Sequence, residues 1–354
     1  MVTCRACAST EGEIVLDLGA MPPADAFPLL ADPGPDPEFP LRMWQCARCG
    51  LAQLAEDPTT PGEPRGVEPA ALVAQARDAV NRVSGLIRPG MTVAEYGSPH
   101  GGSWLPMLTE AGLVPVGPGE RAEVIVDCFG MMHEPDQAAA VAARAARLAD
   151  GGVLLLQYHS LATIVDSGQW NALRHGHFAY YAADPLRAMF ARAGLAPRAS
   201  WHFDLYGGTV LLALGAGPDN GFTERVAPVS TLQQQVDASC TGLRDWLESE
   251  RGNRVIGYGA ASRAVALLRR AGVDVDLLPA VADASPAKWG RRMPGTRIPV
   301  ISPAELAADP PDALLLFVPD LLTEVRAALP ELAGARWFVA EPAPHQVTGD
   351  VPRI

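Results

Sequence analysis

Apolar positions along the chain change period several times, and each change marks an element. Between about Pro69 and Ile87, Leu72, Ala76, Val80, Val83 and Leu86 recur three or four residues apart, which predicts an amphipathic helix. Thr92–Tyr96 then reads as a short apolar strand and Trp104–Ala111 as a helix. Val114–Gly117 and Val124–Cys128 predict strands, Gln137–Leu148 a helix and Val153–Tyr158 a strand. Ala183–Ala193 reads as a helix, and Trp201–Leu205 with Thr209–Leu214 as a hairpin around Gly207-Gly208. A long helix follows over Val229–Glu250. A second series opens at Arg254–Gly259, with helices at Ala264–Ala271 and Pro303–Ala308 and strands at Leu278–Ala282 and Leu314–Val318. This alternation predicts an α/β protein whose first parallel sheet finishes in an antiparallel pair.

The first sixty residues carry no such period. Met21 to Pro40 is rich in proline and reads as irregular, with little core of its own, and Asp57–Gly66 reads as a linker. No internal repeat is apparent. The 354 residues are enough for two domains and an appendage. The expected division is a module and linker over 1–66, an α/β domain over 67–216, a helical connector over 217–250 and a second α/β domain over 251–354.

Charge narrows the partners. A net charge of −12, with Lys288 the single lysine, argues against nucleic acid or an anionic membrane as a general partner. Neither a membrane-spanning apolar run nor a signal peptide is evident, so a cytoplasmic protein is expected, monomeric or homodimeric, acting on a small molecule.

Cys4-Arg5-Ala6-Cys7 and Cys46-Ala47-Arg48-Cys49 are two C-x-x-C knuckles, the pattern of a closed tetrahedral Zn²⁺ site. Two disulfides or idle thiols are the alternative, disfavoured in a reducing compartment. Four thiolates leave no open position, so the zinc is expected to be structural and to hold the module together. Cys128 and Cys240 read as buried spectators.

Glu95-Tyr-Gly97-Ser-Pro-His-Gly101-Gly102 joins a strand to a helix. An acid followed by spaced glycines either receives a ligand close to the backbone or makes a tight turn. The G-x-G-x-x-G spacing of a dinucleotide site is absent. The loop is closer to one receiving the methionine end of S-adenosylmethionine. Gly257-Tyr258-Gly259-Ala-Ala-Ser262 lacks a third glycine and a ribose acid, which weakens any NAD reading. His133 and His159 each follow a strand end, where ligand groups and packing groups are both found. His175 and His177 either act chemically or bond to backbone in a capped loop, and Tyr180 and Tyr181 read as core aromatics.

With these motifs in view, the chain resembles the sugar C-methyltransferases of antibiotic biosynthesis, which act on nucleotide-linked 4-keto-deoxysugars. Four features in order carry the resemblance. They are the paired knuckles, the Glu95–Gly102 loop, Arg174-His175-Gly176-His177-Phe178, and a C-terminal block of Val255–Ala260, Val281–Lys288 and Pro294–Pro303. It implies a small zinc module, a central Rossmann-like methyltransferase domain and a C-terminal Rossmann-like domain. It implies S-adenosylmethionine as donor, held by Glu95, Gly97, Gly101, Gly102 and His133. His177 would be the base, with Arg174 and His175 beside it, and Tyr206, Tyr258 and Ser262 would face the substrate.

The chain also departs from that family. Gly176 stands for an acid, Arg174 for a tyrosine and Tyr206 for a histidine. About one helix–strand unit is missing between Gly117 and Ala122, and Glu120 is the only acid near the expected ribose position. Loss of methyl transfer is therefore an alternative, leaving epimerisation, isomerisation or elimination through the same enolate, or an accessory protein without catalysis.

Overall fold

The computed structural model describes residues 1–32, 34–59, 66–99 and 101–348. Most of the run expected as a linker, 60–65, lies outside the described residues. The N-terminal strands are β1 (Gly12–Met21), β2 (Phe39–Cys46) and β3 (Ala52–Leu54). The middle of the chain follows as α1 (Ala70–Arg82), β4 (Thr92–Tyr96), α2 (Leu105–Glu110), β5 (Val114–Pro115), β6 (Ala122–Cys128), α3 (Gln137–Arg147) and β7 (Leu148–His159). Then come α4 (Leu161–Asp166), β8 (Ala179–Tyr180), α5 (Ala183–Ala191), β9 (Ala196–Phe203) and β10 (Thr209–Gly215). The last part holds α6 (Thr231–Ser249), β11 (Val255–Tyr258), α7 (Ser262–Ala271), β12 (Val281–Ala282), β13 (Val300–Ile301), α8 (Pro303–Ala308), β14 (Ala313–Leu316), α9 (Leu322–Ala328), β15 (Arg336–Val339) and β16 (His345–Gln346).

Three sheets result. The central one has the order β5-β4-β6-β7-β10-β9, parallel from β5 to β7, with β10 antiparallel to both neighbours. Alternate residues of its strands enter opposite cores, as the two-residue strand period requires. Val93, Val124, Val126 and Leu155 meet α1 and α2 on one face. Ala94, Ile125, Leu154 and Leu156 meet α3, α5 and the cysteine knuckles on the other. Among the described residues β5 is the last strand on its side, so the missing helix–strand unit read from the sequence is missing from the sheet. The C-terminal sheet, β13-β12-β11-β14-β15-β16, is parallel except for β16.

The N-terminal segment departs most from expectation. Among the described residues between Met21 and Phe39 there is no strand, as expected, but this stretch links two strands of an unexpected antiparallel sheet, β1-β2-β3-β8, whose fourth strand comes from residues 179–180 and which does have a core. Leu16, Leu18, Met21, Leu41 and Met43 are buried in one core with Leu243 and Leu247 of α6 and Val265 and Leu268 of α7. The long helix is accordingly part of that core and not a free connector, and the zinc module shares its interior with the rest of the molecule.

Candidate active site and metal centre

The metal centre rests on two turns at one end of the N-terminal sheet, one leading into β1 and one joining β2 to β3. Sγ atoms of Cys4, Cys7, Cys46 and Cys49 all lie within 4.8 Å of one another. Cys4–Cys49 and Cys7–Cys46 are separated by 3.5 and 3.7 Å. Zn–S bonds of about 2.3 Å set tetrahedral S···S edges of roughly 3.8 Å, so the donor set fits Zn²⁺ and is closed. Four thiols this close cannot all ionise unaided. The shared Cys4–Cys49 hydrogen bond draws Cys4 down to about 5 and, with burial, pushes Cys49 well above its ordinary range.

The glycine loop leaves the C-terminal edge of β4. Both Glu95 oxygens are used inside it: Oε1 accepts the Trp104 N–H at 2.6 Å and Oε2 the Ser103 hydroxyl at 2.6 Å. Glu95 therefore braces the loop from within. A Cβ at Gly97 or Gly101 would meet nothing within 4 Å, and Gly101 holds φ +83°. That open cradle suits the methionine end of the donor. Across from it, Gly130 packs against the loop so closely that a Cβ there would sit 3.0 Å from the Gly97 carbonyl oxygen.

Gly130 belongs to the turn after β6, which Asp127 holds. Asp127 is fully buried; its Oδ1 accepts the N–H groups of Gly130 (2.7 Å) and Met131 (3.0 Å), and its Oδ2 pairs with Arg144. The same turn delivers His133. Its Nδ1 lies 2.9 Å from the Gly176 carbonyl oxygen, and its ring meets His177 edge-on, with centroids 4.7 Å apart. Two segments far apart in sequence thus bring their imidazoles together, and the glycine loop is linked to them through a single turn.

The other candidates fall into place around this pair. Arg174 and His175, expected beside His177, turn toward the N-terminal sheet. Arg174 pairs with Asp25. His175 Nε2 lies 3.2 Å from the Pro40 carbonyl oxygen and its ring abuts Phe39, and burial pushes its imidazole below the ordinary range. Tyr180 and Tyr181 are buried: the Tyr180 hydroxyl accepts from Arg174 N at 3.0 Å, and that of Tyr181 donates to Gln137 at 2.5 Å.

Tyr206 occupies the turn before β10 at φ +60°, edge-on to Phe129 at φ +59° with centroids 6.4 Å apart. Left-handed backbone at non-glycine residues costs on the order of 1–3 kcal/mol each. Arg263, next to Ser262, donates to the Tyr206 carbonyl at 2.8 Å, so the C-terminal domain reaches this rim. Tyr258 is buried at the end of β11, its phenol raised to about 12 by burial and Asp283. Gly257 and Gly259 are small for packing: a Cβ would strike Phe317 or Val318 at 2.8 Å. The Asp283 carboxylate pairs with Lys288 and accepts the Ala260 N–H.

Sequence reasoning missed Asp57, which accepts the Gly176 N–H at 2.7 Å across 119 residues, and Arg5, discussed below. No local pattern announces either contact.

Comparison with known proteins bears on both halves. Residues 4–60 match a zinc binding domain and residues 218–342 the C-methyltransferase C-terminal domain. C-methyltransferase NovU of Streptomyces niveus is 24% identical over 98% of this chain and 97% of its own. By both matches and by this relative, the chain is similar to C-methyltransferases. The four-cysteine centre lies inside the matched zinc binding domain, and the open glycine cradle lies between the two matched regions. Solved structures similar to parts of it include the N-methyltransferase NodS of Bradyrhizobium japonicum (12% identity, 43% of this chain, all of that one, TM-score 0.32). An O-methyltransferase family protein of Burkholderia thailandensis is 13% identical over 42% of this chain and 58% of that one, TM-score 0.30. Among the described residues no helix is long and apolar enough to cross a membrane.

Proposed function

We propose that this C-methyltransferase methylates a carbon next to a ketone on a nucleotide-linked deoxysugar, with His177 as the base. The observation that carries the reading is the His133–His177 pair, joined through the Gly130 turn to the glycine loop. S-adenosylmethionine supplies an electrophilic methyl group when bound. The backbone at Gly97 and Gly101 receives its methionine end, Gly102 continues that loop, and Glu95 keeps the loop open. Glu120, exposed just after β5, is the acid nearest the ribose side.

His177 takes the α-proton; the donor, when bound, would supply its methyl group to the resulting enolate carbon and leave as S-adenosylhomocysteine. His133, fixed by the Gly176 carbonyl, holds the edge of the His177 ring and with it the direction of the accepting nitrogen. Tyr206 and Ser262 lie at the rim where the sugar nucleotide enters, and the protein acts in the cytoplasm.

His177→Ala tests the assignment. Loss of a general base costs about 10²–10⁴ in rate, with donor affinity and melting temperature unchanged. Full turnover in the variant overturns it. The thinned adenosine side of the sheet favours one second reading, enolate chemistry without a donor. Exchange of substrate α-protons into heavy water in the absence of S-adenosylmethionine, with no methylated product when it is added, would establish that reading instead.

A further inference from the structure

Arg5 sits between two zinc ligands, yet its side chain leaves the metal and spans both histidine-bearing segments. One guanidinium nitrogen donates to the Pro135 carbonyl at 2.9 Å, two residues beyond His133, and the other to the Leu54 carbonyl at 3.5 Å. Its plane lies over the Phe178 ring at 4.8 Å, one residue beyond His177. The backbone of the same residue is tied down as well. Arg5 N–H donates to Gln53 Oε1 at 2.8 Å, and Arg5 carbonyl accepts the Ala138 N–H at 3.2 Å, at the start of α3.

Around this residue the two segments close on each other. Phe178 N–H donates to the Met132 carbonyl at 2.7 Å, and Leu54 N–H to the Phe178 carbonyl at 3.3 Å. Gln53 pairs with Ala179 in the sheet register, so the strand after His177 is an edge of the zinc sheet. Asp57, from the same N-terminal segment, holds Gly176 from the other side.

We infer that Arg5 is a positioning residue: it clamps the 131–135 and 174–178 segments to the first zinc knuckle, so that metal binding sets the angle at which His133 meets His177. The metal fixes the turn, the turn fixes the arginine, and the planar guanidinium spreads that constraint over both loops. Lysine cannot reproduce this, because a point charge on a flexible stem lacks the fork that bonds two carbonyls while stacking on a ring. Supports of this kind typically cost 10–100-fold when removed, and a displacement of about 1 Å at the reacting groups is enough for 10²-fold.

The inference rests on His177 as the base, and the test separates the two. Arg5→Met, which keeps the aliphatic stem, and Arg5→Lys are made in the full-length zinc-loaded protein beside His177→Ala. Zinc content, calorimetric affinity for S-adenosylhomocysteine and turnover are measured in each, and the imidazole C–H NMR resonances of His133 and His177 in the native protein and the two Arg5 variants. Arg5→Met should keep one zinc and normal affinity, lose 10–100-fold in turnover and shift both imidazole resonances, with Arg5→Lys between it and the native protein. Unchanged resonances and full turnover overturn the inference. So does loss of the zinc equivalent in both variants, because the arginine would then serve the metal fold alone. If His177→Ala keeps full turnover the base assignment falls, and the resonances alone decide whether Arg5 sets the pair.

Discussion

Replacing Asp127 tests the part of the structure that couples the sheet to the site. Asp127 is fully buried and the side chain of Arg144 is 2% exposed, so neither charge is solvated if the other is lost. Asp127→Asn keeps an oxygen for the Gly130 and Met131 N–H groups but turns an amide toward the guanidinium. The orphaned arginine retains the Ala140 carbonyl at 3.0 Å, the Tyr96 ring at 4.3 Å and a distant, half-exposed Glu134 at 3.9 Å. None of these neutralises it inside the core. Breaking a buried pair from one side costs about 3–5 kcal/mol, against a total stability that is commonly about 5–15 kcal/mol. Asp127→Ala should be worse, because two buried N–H groups lose their acceptor at about 1–3 kcal/mol each.

The double variant Asp127→Asn/Arg144→Met removes the stranded charge and should recover most of the loss. Urea unfolding followed by tryptophan fluorescence measures all three. A cost below about 1 kcal/mol for Asp127→Asn, or a double variant no more stable than that single one, would refute the reasoning.

Three further outcomes follow from the site and its frame. Purified without chelator, the protein should carry one zinc, and Cys46→Ser should lower a single calorimetric transition of the whole chain, because Trp44, Cys46 and Leu51 lie in the core under the central sheet; a separate early transition would contradict the shared interior. Gly101→Val places a branched side chain at φ +83° in the open cradle and should weaken S-adenosylhomocysteine at least 10-fold by calorimetry, while unchanged affinity would place the donor elsewhere. Burial raises the Glu341 carboxyl above the usual range, so the folded state holds that proton after the unfolded chain has lost it, and stability falls as pH rises from about 4.5 through the folded value. Glu341→Gln should flatten that decline in unfolding measured from pH 4 to 8; an unchanged slope would show that the carboxyl does not carry it.

Local patterns were legible where one element decides its own conformation. The helix at 70–82, the strand at 92–96 and the knuckles all follow from spacing alone. The N-terminal sheet did not, although Leu41 and Met43 alternate with Arg42 within β2, because proline and glycine around them hid a pairing across a long loop. β8 has two residues and carries no signal; it exists because β3 offers it an edge. Around the histidines, sequence indicated which residues matter and not which way they face. His175 and His177 flank a glycine at φ +81°, and that bend separates them, one toward Pro40 and the other toward His133. Contacts such as Asp57 to Gly176 join residues more than a hundred apart, and no window along the chain contains both.

The four-stranded N-terminal sheet also fixes an order of events during synthesis. Its fourth strand does not exist until residue 180 has been made, and the core that Leu16 and Met43 join is completed only once α6 and α7 follow. On the ribosome, where chains emerge at roughly 5–20 residues per second and domains tend to fold as they appear, the first sixty residues must wait many seconds for partners. Zinc can join the two knuckles as soon as Cys49 has emerged, and so supplies an early closure to a segment whose partners in α6 and α7 are made much later.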